Sequence, residues 1–121
     1  MTEQRIRKIG ANYIFIPEYP LTKNGYLVID NNNITNIVDT GGIIKEFHGL
    51  EFYGGMIVDL RCKTIILQNI VGENIIKVLT DFYRSLSSAT DGIAVLESAD
   101  LKNMRFTALN RLKTLIDFSD L

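Results

Sequence analysis

One segment of this 121-residue chain has a helical hydrophobic period, while the segments on both sides of it have strand-like patterns, and this arrangement limits the folds that the chain can adopt. Before residue 60, β-branched and aromatic residues come in short runs separated by Pro, Gly and Asn, which is typical of strands joined by turns. From residue 73 the apolar residues recur at intervals of three and four, which predicts an amphipathic helix at about residues 73–87. The sequence therefore predicts a mainly β chain with one α-helix (α+β), in which the helix covers the sheet.

Seven apolar runs are predicted to form strands. In chain order they are residues 12–16, 25–30, 34–39, 50–58, 61–67, 93–96 and 111–116. Asn31, Asn32 and Asn33 suit a hairpin turn because Asn tolerates positive φ. The paired glycines Gly54 and Gly55 predict a kink or bulge in their strand. The run 93–96 is expected to be buried and the run 111–116 to form an edge of the sheet.

Charge and composition exclude several classes of function. The net charge of −1 and the pI near 5.8 provide no broad basic field, which disfavours nucleic-acid binding. A single cysteine excludes an intramolecular disulfide and fits a reducing compartment. No apolar run approaches the ~20 residues of a membrane helix, and no signal-peptide core is visible near Met1. We expect a soluble, cytoplasmic protein of bacterial type with no membrane partner.

Segments at both ends of the chain resemble the two ends of amidohydrolase-superfamily proteins, in particular the chlorohydrolase and cytosine-deaminase-like members. The N-terminal segments are ANYIF (11–15), LTKNGYLVID (21–30), ITNIVDTGG (34–42) and LEFYGGMIV (50–58). The C-terminal segments are DGIAVL (91–96), ADLKNMRFT (99–107) and RLKTL (111–115). In that family both ends build one composite β-sandwich beside a catalytic barrel. The resemblance implies a composite β-sandwich or meander sheet of the amidohydrolase type.

The resemblance also implies that the catalytic barrel is missing. In the family, the strand that corresponds to residues 50–58 leads into a His-x-His metal motif, whereas here Val58 is followed by Asp59. A (β/α)8 barrel takes about 250 residues, for which this chain has no room. We expect one domain, 1–121, with N-terminal sandwich strands in 1–58, a strand and helix replacing the barrel in 59–90, and returning strands in 91–121.

The histidine and the cysteine are the first candidates for catalysis. His48 is the only histidine, whereas a catalytic zinc site usually takes three protein ligands with histidine prominent among them. We interpret it as a surface or loop residue, with a metal shared across a dimer as the alternative. Arg61 and Lys63 flank Cys62 and could lower the pKa of its thiol. In a strand they would face away from it, so a buried structural cysteine is expected.

Other polar positions also favour structural roles. Two carboxylates, Asp30 and Asp39, flank the predicted hairpin, and two others, Asp117 and Asp120, lie near the end of the sequence. Asp at strand ends and turns commonly hydrogen-bonds nearby backbone. The glycine pairs lack the spacing of a phosphate loop. Arg5, Arg7 and Lys8 form a basic arm that would give a solvated, aggregation-resistant strand edge, with contact to an acidic partner or a phosphate as the alternative. We expect no catalytic residue, no metal and no cofactor.

The apolar face of the predicted helix is the candidate interface. Loss of the barrel should leave an apolar patch on the sandwich, and the helix and a second chain would each cover part of it. The candidate interface residues are Ile75, Ile76, Leu79, Phe82 and Leu86.

The predicted function is that of a non-catalytic, stand-alone sandwich domain, not an enzyme, which acts through protein–protein interaction or self-association. A homo-oligomer or a complex with a protein partner is expected. One alternative is a small-molecule binding protein or enzyme with a new pocket between sheet and helix. Another is a remnant of a metal-dependent hydrolase acting on C–N or C–Cl bonds.

Overall fold

Strands dominate the computed structural model, which describes residues 6–31, 33–41, 49–66, 68, 70–86 and 90–118. The strands are β1 (Ile6–Phe15), β2 (Thr22–Lys23), β3 (Tyr26–Asp30), β4 (Asn33–Val38), β5 (Leu50–Asp59), β6 (Gly92–Glu97) and β7 (Arg111–Asp117). Between β5 and β6 lie a 3-10 turn (Leu60–Cys62) and two helices, α1 (Lys63–Ile66) and α2 (Ile75–Arg84). The predicted mainly β chain with a helix within residues 73–87 is confirmed.

All of these strands belong to one sheet, with the order β4-β3-β1-β5-β6-β7 and β2 paired to β1. The central pair β1–β5 is parallel and the other pairs are antiparallel. The N-terminal and C-terminal strands join through β5 and β6, where Met56 lies opposite Leu96 and Asp59 lies opposite Ile93. The chain therefore leaves the sheet after β5 and returns to it on the neighbouring strand.

The predicted irregularity at the paired glycines is confirmed as a shift in register between β1 and β5. Ala11 pairs with Tyr53 and Tyr13 with Met56, so β5 carries one extra residue. Gly55 has φ +134°, and a Cβ there would collide with the carbonyl oxygen of Leu96 on β6. Only glycine fits this position without movement of the backbone.

One face of the sheet holds the first of two apolar clusters. Its buried members are Ile9, Ala11, Ile14, Ile16, Leu27, Ile29, Ile57 and Ile93. Ile34 and Ile37 of β4 pack against this cluster, and so do Leu115 and Ile116 of β7. Because β4 and β7 are the two edge strands, the cluster extends across this face from one edge of the sheet to the other.

The opposite face holds the second cluster, which α2 covers. Its buried members are Met56, Val58, Cys62, Ile70, Ile75, Leu79, Leu96 and Phe106. Ile75 and Leu79 are four residues apart and so lie on the same side of α2. Asn74 caps the start of the helix, since its Oδ1 accepts a hydrogen bond of 3.0 Å from the Lys77 N–H. The covering role predicted for the helix is confirmed.

The prediction of a strand over residues 61–67 is wrong. The Asp59 carboxylate accepts a 2.8 Å hydrogen bond from the Arg61 N–H and so caps the 3-10 turn that follows β5. The chain then continues as α1, whose Ile65 and Ile66 pack against the second cluster. Capping and burial outweigh the preference of β-branched residues for strands. Leu67 lies outside the described residues.

The prediction that the basic arm forms a strand edge is also wrong for Arg7 and Lys8. Both lie on β1, which pairs with β3 on one side and β5 on the other. Arg7 forms a bidentate ion pair with Glu51, in which Nε donates to Oε2 at 2.9 Å and Nη2 donates to Oε1 at 2.8 Å. This contact raises the pKa of Arg7 and lowers that of Glu51. Arg5 lies outside the described residues.

Each true edge strand carries a register shift. On β4 the shift leaves Thr35 as the extra residue opposite Val28 and Ile29. On β7, where an edge strand is predicted and found, Leu115 is the extra residue. Bulges at sheet edges disturb the unpaired row of hydrogen-bonding groups and discourage pairing with another sheet.

Candidate functional site

The cysteine belongs to a polar group of four residues, the Tyr83 cluster, formed by Asp59, Arg61, Cys62 and Tyr83. The Tyr83 hydroxyl on α2 donates a 2.6 Å hydrogen bond to the carbonyl of Phe15, at the end of β1. The same oxygen accepts from the Asp59 N–H at 3.3 Å and from the Cys62 thiol at 3.6 Å. One hydroxyl thus connects β1, β5, the 3-10 turn and α2.

Asp59 is fully buried, and Arg61 supplies its counter-charge. The guanidinium donates from Nε at 3.0 Å and from Nη2 at 2.9 Å, one bond to each carboxylate oxygen. These hydrogen bonds are the main reason why the pKa of Arg61 is raised. A buried ion pair is tolerated when hydrogen bonds offset its loss of hydration, and this bidentate geometry meets that requirement.

Cys62 is a buried thiol, as predicted, although not for the predicted reason. Burial raises its pKa to about 12, and the hydrogen bond to Tyr83 only partly opposes this effect. Arg61 lies on the same turn rather than across a strand, but its guanidinium is held by Asp59. Burial also raises the pKa of Tyr83 well above its ordinary value. Near neutral pH both groups are protonated, which suits a structural role.

The predicted carboxylates are found at strand ends and turns. Asp39 accepts a 2.8 Å hydrogen bond from the Gly41 N–H, so its turn role is confirmed. Asp30 ends β3 opposite Asn33, and one of its carboxylate oxygens is buried without a hydrogen bond to any of the described residues. Asp117 is the last residue of β7. Asp120 and His48 lie outside the described residues.

The described part of the chain contains no group of three or more His, Cys, Asp or Glu side chains placed to hold a metal ion. In the same ranges no helix has the length and apolarity needed to cross a bilayer.

The residues predicted to form an interface fall into two groups. Ile75 and Leu79 are fully buried within this chain, in the second cluster. Ile76, Phe82 and Leu86 are half-buried, and the first two pack against that cluster. Two of the predicted interface residues, Ile75 and Leu79, are thus already buried in the core of their own chain. The interface proper stays a prediction.

Sequence reasoning missed an open groove at the end of the molecule where the segment after α1 meets the loop before β7. The end groove is lined by Ile66, Gln68, Ile70, Val71, Thr107, Ala108 and Asn110 and has a volume of about 300 Å³. Val71 is 57% exposed, and Leu109, in the adjoining loop, is 79% exposed. Leu109 directly follows Ala108 in a connection that also contains Leu101, Met104 and Phe106, so nothing in the sequence marked it as exposed.

Comparison with known proteins gave no relative, because no family model, no curated protein and no solved structure matches this chain.

Proposed function

We propose that this chain is a non-catalytic β-domain that acts by self-association through the end groove. The main supporting observation is that the Leu109 side chain is exposed to solvent beside a groove that Ile66 and Ile70 help to line. Leu109 does not line the groove of its own chain. In a two-fold dimer the Leu109 side chain of each copy would enter the groove of the other.

The charge of the groove favours a second copy as the occupant. In a two-fold contact each patch meets the same patch of the other copy, so a charged lining would meet like charge. All seven lining residues are uncharged. The net charge of −1 adds little repulsion at long range. The end groove is therefore electrostatically suited to contact with itself.

The magnitude of the expected burial indicates a weak dimer. Burying one leucine side chain stabilises a contact by about 1.5–3 kcal/mol, and two copies contribute two such side chains. The entropic cost of association is of similar size or larger, so Val71 and the groove rim must add contact area. We therefore expect a weak dimer, with a dissociation constant in the micromolar range or above.

The sheet edges are less suitable for self-association. Register shifts at Thr35 and Leu115 disturb the outer hydrogen-bonding rows of β4 and β7. Strand-to-strand pairing between copies would have to accommodate a bulge on either edge. This favours the loops at the end of the molecule over the edges.

We further propose that the sheet is a composite one of the amidohydrolase type without its barrel. Two features support this proposal: strands from both halves of the chain join through β5 and β6, and residues 60–91 leave and re-enter the sheet at neighbouring strands. The non-catalytic role is supported by the Tyr83 cluster, where Cys62 and Tyr83 stay protonated and Arg61 pairs with Asp59.

Self-association is tested by sedimentation velocity of the full chain over a range of concentrations from about 1 to 500 μM, bracketing the expected affinity. The wild-type chain should shift from monomer to dimer, and Leu109→Asp should remain a monomer throughout. Leu21→Asp is the matched control, because Leu21 is 40% exposed but lies outside the groove. Denaturant unfolding checks that each variant is folded.

A wild-type chain that is monomeric over the whole range would refute the proposal. Dimerisation that Leu109→Asp leaves intact would refute it too, because it would place the contact elsewhere.

A further inference from the structure

A second pocket lies beside β2, on a part of the surface that shares no lining residue with the end groove. The lysine pocket is lined by Asn12, Tyr13, Lys23, Asn24, Leu101 and Lys102 and has a volume of about 260 Å³. Two of these residues are cations and none is acidic. The lining therefore combines three separate segments of the chain, and two of them each contribute one lysine.

Neither lysine is held in a salt bridge by the described residues, although the negative charge of the Asp100 carboxylate interacts with Lys102. Lys23 and Lys102 are exposed, and neither belongs to an ion pair within the described ranges. Asp100, two residues before Lys102, is already engaged by Asn103. The Asn103 N–H and side-chain amide donate to its two oxygens at 3.2 and 2.9 Å. Both lysine side chains are thus exposed and accessible to a ligand, and Asp100 offsets part of the charge of Lys102.

Asn12 adds a neutral donor whose orientation is fixed. Its Oδ1 accepts a 2.9 Å hydrogen bond from the Gly55 N–H. The remaining polar atom of the amide is therefore the donor Nδ2. The backbone of Asn24 is also fixed to that of Asn12, because the Asn24 N–H donates a 2.8 Å hydrogen bond to the Asn12 carbonyl.

The apolar part of the pocket is anchored to the core. Tyr13 and Leu101 both pack against the second cluster. Their positions are set by the fold and not by a ligand, so the pocket is formed in advance. A ligand that binds a formed pocket does not have to order it, which lowers the cost of binding.

We propose that the lysine pocket binds a small molecule carrying one or two oxyanion groups, carboxylate or phosphate. An anion bound in the pocket would form charge-assisted hydrogen bonds with Lys23 and Lys102. The volume is slightly below the roughly 300–1,000 Å³ of ordinary ligand sites. A ligand of the size of phosphate or a short dicarboxylate fits this volume.

The test is calorimetric titration of the full chain with sodium phosphate and, separately, with sodium succinate, at constant ionic strength maintained with NaCl. We expect one saturable site with millimolar affinity for at least one of the two anions. Lys23→Gln and Lys102→Gln should each weaken binding at least threefold, and the double variant should abolish it. Lys77→Gln, an exposed lysine on α2, is the matched control and should bind as the wild type does.

The two anions separate the sources of the oxyanion. Saturation by phosphate alone would identify a phosphate-bearing ligand, and saturation by succinate alone would identify a dicarboxylate. Absence of saturable binding of both anions would overturn the proposal. Equal binding by the double variant would also overturn it. The result is independent of self-association, since Leu109→Asp can be titrated in the same way.

Discussion

The hydroxyl of Tyr83 and the carbonyl oxygen of Phe15 lie 2.6 Å apart, which ties the last turn of α2 to the end of β1. The two aromatic rings also pack against each other, with centroids 5.3 Å apart. The contact joins residues 68 positions apart in the sequence. It fixes the helix in place over the sheet, in addition to the apolar packing of Ile75 and Leu79.

Tyr83→Phe should lower the free energy of unfolding by about 1–3 kcal/mol, because it removes the hydroxyl that pairs with Phe15 and accepts from Asp59 while the rings still pack. Urea unfolding followed by circular dichroism measures the change. Tyr53→Phe is the control, since among the described residues the Tyr53 hydroxyl makes one long contact, of 3.5 Å, with Glu51. Equal losses in the two variants would contradict the importance given to the Tyr83 hydroxyl.

Gly55→Ala should destabilise the chain by about 1–3 kcal/mol or more, because φ there is +134° and the new methyl group would collide with the Leu96 carbonyl. Gly54→Ala provides a matched comparison at the adjacent position, where a Cβ would meet nothing within 4 Å. Its effect should be within about 0.5 kcal/mol. Thermal unfolding of both variants measures the difference. Similar melting temperatures would show that β6 does not approach Gly55 closely.

Stability should fall as the pH rises above the ordinary pKa of a thiol. In the folded chain burial raises the pKa of Cys62 to about 12 from a reference of 9.0, so the thiol ionises in the unfolded chain first. Its contribution is complete below pH 9 and is lost between pH 9 and about 12, which amounts to about 1 kcal/mol by pH 9.5. Unfolding by urea at pH 7.0 and 9.5 measures it.

Cys62→Ala is the control for this pH dependence. The variant is less stable at both pH values because it leaves a small cavity, but it should lose the part of the pH dependence that belongs to the thiol. The same decrease from pH 7.0 to 9.5 in both proteins would mean that the Cys62 thiol is more accessible to water than its burial indicates.

The elements that the sequence predicted well are those in which local pattern and tertiary packing agree. The three- and four-residue spacing through Ile75 and Leu79 predicted α2, and these side chains enter the core. The glycine pair predicted the irregularity of β5 because few other residues tolerate such a backbone. In both cases the signal lies within a few neighbouring residues.

The features that the sequence could not predict depend on contacts between distant segments. Residues 61–66 have strand propensity, but the capping of the turn by Asp59 directs them into a helix. The sequence around Arg7 indicated a solvated arm, but Arg7 forms an ion pair with Glu51, which is 44 residues away in sequence and lies on the neighbouring strand. The end groove and the lysine pocket each combine segments far apart in sequence, and no local pattern predicts such a combination.

The parallel pairing of β1 with β5 has a consequence for the order in which the fold assembles. The pairing of β1 with β3 joins residues close in sequence, such as Gly10 and Tyr26, and can form early. The pairing of β1 with β5 joins residues much farther apart, such as Lys8 and Leu50. Closing the larger loop between β1 and β5 costs more conformational entropy before stabilising contacts can form. The hairpins at the N-terminal side should therefore form first, and the docking of β5 should set the folding rate.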